Sequence, residues 1–245
     1  MVTRILFVFC LCSPWCHATT AFINKIPDIT QTQVKGSKTG NGRQYCAPVA
    51  VANSLAWMSG RTPQSMAMIR KLGSSQYMNT SLKNGTGTSG VLRGVNKLAL
   101  EIFGGYKILE YEGWRKHPAS YSTGIKLPNL KRLKSAVSEK SAAWLNIGWY
   151  RFNKSNREYL RIGGHWVTLV GSNHRQLILH DPAPRAGKSF ANEYVTYHQI
   201  QAGTLVGNKQ GLPRPARGYL QLGEGMHIKS KADVAIIDGV VYFEL

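Results

Sequence analysis

Between Cys46 and Met58 nearly every residue is apolar: Ala47, Val49, Ala50, Val51, Ala52, Leu55, Ala56, Trp57 and Met58. Wound into a helix, such a run has no polar face to turn to water, so the rest of the chain must enclose it on all sides. Pro48 fits only in a first turn, where its missing N–H is not needed, and this sets Cys46 at the helix start and Gly60 beyond its end. A chain of 245 residues, 43% hydrophobic and 18% charged, has the material for that enclosure. Wholesale disorder is excluded.

Two more helices follow. Thr62-Pro63 reads as an N-cap and first-position proline, with Met66, Met68, Ile69 and Leu72 behind it and a stop at Gly73. After a Gly/Thr/Ser loop at 84–90, Val91, Leu92, Val95, Leu98, Ala99 and Phe103 recur at helical spacing over 91–103. Beyond Gly104-Gly105 the pattern turns to strands at Tyr106 to Tyr111, Ala142 to Tyr150, His165 to Val170 and Leu177 to Leu179. A basic helix is expected over Lys131 to Lys140, a polar loop over 151–161, and a hairpin about Asp238-Gly239 within Val234 to Phe243. Helices first and antiparallel strands after is an α+β order, a helical half followed by a sheet half.

Residues 1–18 read as an export signal. Met1 and Arg4 form a basic start, Ile5 to Cys12 an apolar stretch too short to span a bilayer, and Cys16-His17-Ala18 a cleavage site. Residues 19–43 are then an extended polar lead-in and 44–245 the domain, secreted or periplasmic. Cys10, Cys12 and Cys16 fall in the signal, which leaves Cys46 alone in the processed chain. A single thiol forms no internal disulfide, so it is a buried inert group, half of an intermolecular bridge, or a nucleophile.

The position of Cys46 favours a nucleophile. A helix N-terminus carries about half a positive charge, which stabilises a thiolate. His165 opens an apolar strand in Gly163-Gly164-His165-Trp166, and Asp181 ends the following strand in His180-Asp181-Pro182. Two adjacent antiparallel strands joined by a short turn bring those residues side by side, so that one imidazole nitrogen serves the carboxylate and the other the thiol.

The blocks Gln44-Tyr45-Cys46-Ala47-Pro48, Gly164-His165-Trp166-Val167-Thr168 and His180-Asp181-Pro182 resemble the papain-like cysteine peptidases of the double-glycine leader-processing (bacteriocin-processing) class, in a stand-alone form without a transporter. That resemblance implies a papain-like fold and a catalytic triad of Cys46, His165 and Asp181, with Gln44 lining the oxyanion hole. Asn41 is the alternative donor, because Gln44 stands closer to Cys46 than the family's spacing. Ala47 also replaces the glycine usual after the nucleophile.

Other thiol chemistries remain open: cell-wall peptide hydrolysis, although the Asp-Cys-Ser-Gly block typical of murein-cleaving enzymes is missing, and transglutaminase-like transfer. A non-catalytic basic binding protein is the alternative from another class. No cofactor or metal is expected, since no His-Glu-x-x-His occurs and His174, His180 and His198 fall at no ligand-like spacing. Lys and Arg number 31 against 12 Asp and Glu, a formal charge of +19 dispersed along the chain. A peptide or protein substrate and an anionic wall or membrane surface are the expected partners, with nucleic acid not expected.

Overall fold

The computed structural model describes residues 21–36, 40–186, 192–207 and 212–245; the stretch read as an export signal lies outside them. Helix α1 (Cys46–Met58) is buried from Ala47 through Ala56, as its all-round apolarity requires. Helices α2 (Ser65–Gly73) and α3 (Thr88–Phe103) close over it through Met68, Ile69, Leu72, Val91, Leu92 and Val95. The basic helix shrinks to α4 (Leu130–Lys134), started by the side chain of Asn129 accepting from the Arg132 N–H at 3.2 Å.

The strands are β1 (Ala21–Phe22), β2 (Ile108–Gly113), β3 (Ser141–Asn153), β4 (Glu158–Ser172), β5 (Gln176–His180), β6 (Glu193–Gln199), β7 (Thr204–Val206), β8 (Arg214–Pro215), β9 (Leu220–Leu222) and β10 (Val234–Glu244). β3 pairs with β4, β4 with β5, β5 with β6, β6 with β9, β9 with β10, and β10 again with β3, all antiparallel. That cycle closes a six-stranded barrel. β2 lies outside it beside β10, and β1 and β7 beside β4.

The expected papain-like arrangement, a helical half followed by a sheet half, is therefore corrected. The molecule is mostly β, an antiparallel barrel with extra strands and, among the described residues, four short α-helices. Barrel closure depends on register between strands far apart in sequence, and local patterns carry no record of it. Two local readings change with it. The 151–161 stretch is not one long loop but the paired ends of β3 and β4 joined by a turn at 154–157, with Arg151 opposite Leu160 and Asn153 opposite Glu158. Asp238-Gly239 does not turn, because Ile236, Ile237, Val240 and Val241 on either side are all buried and the strand runs straight through.

Instead β10 carries a bulge: Ile237 faces Ile147, Gly239 faces Asn146, and Asp238 is the extra residue. The bulge shifts the alternation by one, so Ala235 and Ile237 share the barrel's packed face with Val240 and Tyr242. Leu145, Ile147, Val167, Leu169, Leu177 and Leu179 complete that face. The opposite face, through Ala142, Trp144, Trp166, Val241 and Phe243, packs on the helices. Gly239 is required here, since a Cβ would overlap the Tyr111 hydroxyl.

Candidate active site

The segment before α1 is held tightly. Gln31 Nε2 donates to the Arg43 carbonyl at 2.5 Å, the Tyr45 N–H to the Gly42 carbonyl at 2.9 Å, and a Cβ on Gly42 would overlap the Gln31 carbonyl oxygen. These contacts fix the entry to α1, whose first turn has no acidic residue and no side-chain cap. Cys46 therefore heads the helix with its positive end uncompensated.

β4 supplies the second group. Thr168 Oγ1 donates to the Ala50 carbonyl of α1 at 2.8 Å, and Trp166 Nε1 to the Thr86 carbonyl at 3.0 Å, so strand, helix and the loop before α3 are pinned together. His165 directly precedes Trp166 on this strand and is buried at 5% exposure.

His165 Nε2 donates to Asp181 Oδ1 at 2.5 Å, which leaves Nδ1 to face the thiol, and a Cys46–His165 hydrogen bond completes the series. The imidazole stacks on Trp149, ring centroids 5.8 Å apart, which keeps water from that side. Asp181 follows β5 and is buried. Its Oδ1 also accepts from the Ala183 N–H at 2.9 Å, and Arg185 Nη2 stands 3.6 Å from Oδ2. Arg185 is itself held by donating to the His227 carbonyl at 2.6 Å and by lying over the Trp149 ring.

Burial would push the Cys46 thiol up, but the hydrogen bond and charge of His165, with the Trp166 and Ala47 amides, bring it below its ordinary value. Burial pulls the other way on His165, and the Asp181 charge and hydrogen bond overcome it, raising the imidazole to about 9. Asp181 is depressed despite burial, chiefly by the charge and hydrogen bond of His165 and then by Arg185. The lowered thiol and the raised imidazole favour thiolate and imidazolium as the resting pair.

Gln44 is half-buried and lines a cavity of about 260 Å³ beside Cys46. Asn41 is exposed, its side chain accepting from the Arg43 N–H at 3.1 Å, and it does not line that cavity. Cys46, His165, Asp181 and Gln44, all expected from the sequence, thus converge, while Trp149, Arg185 and Glu193 were not anticipated. Glu193 Oε2 accepts the Asp181 N–H at 3.0 Å, and burial followed by the Asp28 charge raises its carboxyl to about 8. The β3–β4 register, had 151–161 been read as strand, places Trp149 opposite Gly163 and so beside His165.

Among the described residues no group of three or more His, Cys, Asp and Glu could hold a metal ion, and no helix is long and apolar enough to cross a membrane. His180 is committed to the Pro27 carbonyl and the Asn192 side chain. No model of a known protein family matches the chain, and no curated protein matches it.

Proposed function

We propose that this chain is a thiol hydrolase, a cysteine peptidase whose nucleophile is Cys46. The observation that carries the reading is the unbroken series from Asp181 through both nitrogens of His165 to a sulfur at a helix start. The thiolate attacks the scissile carbonyl carbon, and the oxyanion formed is met by the Cys46 backbone N–H and the Gln44 amide. Imidazolium Nδ1–H gives its proton to the leaving amine, the C–N bond breaks and an acyl thioester remains. Neutral His165 then takes a proton from water, hydroxide adds to the thioester, and thiolate leaves as the carboxylic acid departs. Asp181 holds the ring's orientation and balances its charge throughout. An exported setting and an anionic surface partner accompany this reading, on the strength of residues 1–18 and the +19 charge.

Iodoacetamide labelling of the full chain, mapped by mass spectrometry, should modify Cys46 within minutes at about pH 7 and abolish peptide cleavage. Cys46→Ala should remove all turnover while leaving the circular dichroism spectrum and melting temperature nearly unchanged. A thiol that labels only on unfolding would overturn the proposal.

A further inference from the structure

The cavity beside Cys46 has a lopsided charge. Arg115, Lys116 and Arg161 line it, together with Gln44 and Asn146, and no aspartate or glutamate does. Arg161 is buried at 6% exposure, with its Nε donating to Asp238 Oδ2 at 2.6 Å. Its Nη2 lies along β4 where a Cβ on Gly164 would stand, so the missing side chain at 164 lets the guanidinium reach the cavity next to His165. Arg115 lies over the Trp114 ring and makes no ion pair with a carboxylate among the described residues. Burial and the Arg161 charge disfavour its cation and together outweigh the opposing pull of Asp238, already bonded to Arg161, and of Tyr150 and Tyr111. The cavity therefore holds more positive charge than its one neighbouring carboxylate offsets.

We infer that this cavity is a substrate subsite for a carboxylate close to the scissile bond, with Arg115, Lys116 and Arg161 as its specificity-determining residues. The inference rests on the thiol-hydrolase reading for its acyl chemistry. The carboxylate comes either from a Glu or Asp side chain or from the substrate's own C-terminus, and both offer the same planar anion to a guanidinium fork. A general basic surface explains this less well, because Arg161 is buried and these three cations line one concave site.

The test uses alkylation of Cys46 in the full chain. Iodoacetate should react about fivefold to tenfold faster relative to iodoacetamide in the wild type than in an Arg115→Gln, Lys116→Gln double variant, as expected for two charges several ångströms away. Lys154→Gln, on an exposed turn, should leave the ratio unchanged. Peptide protection against iodoacetamide separates the sources: a Glu peptide with an amidated end protects if the side chain binds, and its Gln counterpart with a free end protects if the terminus binds. An unchanged ratio in the double variant, or equal protection by a Gln peptide with an amidated end, would overturn the subsite while leaving the thiol reading intact. Failure of both reagents to label folded protein would instead overturn the thiol reading.

Discussion

Asp238 and Asp181 are both buried and each meets a basic residue of β4, Arg161 and His165, yet they do opposite things. Asp238 is saturated: Oδ1 accepts from Trp114 Nε1 at 3.0 Å and from the Tyr150 hydroxyl at 2.5 Å, and Oδ2 accepts from Arg161. Asp181 is the start of a series that passes through His165 and ends on a half-buried sulfur, and its Oδ2 has no hydrogen bond. The closed cluster fixes the β10 bulge. The open series ends at the cavity that Cys46 lines.

Exchanging each carboxylate for an amide should separate the two roles. Asp181→Asn keeps a ring partner but loses the charge that holds His165 near 9, so cleavage should fall about 10³–10⁴-fold. Its alkaline limit should also move toward neutral pH, as a rate profile would show. Asp238→Asn should leave Arg161 uncompensated and cost about 3–5 kcal/mol of stability by urea unfolding. The folded fraction should still cleave, and a loss of turnover without loss of stability would erase the distinction.

Smaller effects sharpen the open end of the series. Gln44→Ala should lower the cleavage rate about 10²–10³-fold and Asn41→Ala should not; the reverse would move the oxyanion role to Asn41. Glu193→Gln should matter least. A carboxyl raised to about 8 in the fold from an ordinary 4.5 loses stability as pH climbs between those values, because only the unfolded chain ionises there. The variant should match the wild type near the ordinary carboxylate value of 4.5 and melt higher near pH 8, and equal melting at both would show that Glu193 is not held protonated.

The candidate site was legible in the sequence because each member sits at an element's end with a local signal: a glycine-rich loop before an apolar helix for Cys46, paired glycines before His165, and a proline after Asp181. The barrel was not, because β6 and β9 are short and partly polar and their pairing is set by distant partners. Arg161 was hidden for a related reason. Its neighbours Arg151, Asn153 and Glu158 are polar because one face of those strand ends meets water, which reads locally as a loop.

The proposed chemistry depends above all on an ion pair between His165 and Cys46. Its most direct measurement is the rate of Cys46 alkylation by iodoacetamide from mildly acidic to alkaline pH, in the wild type and in His165→Asn. With the ion pair in place, the wild type already alkylates fast well below the ordinary thiol value of 9, and the variant reacts only as pH approaches it. Coincident profiles, both rising near 9, would contradict it.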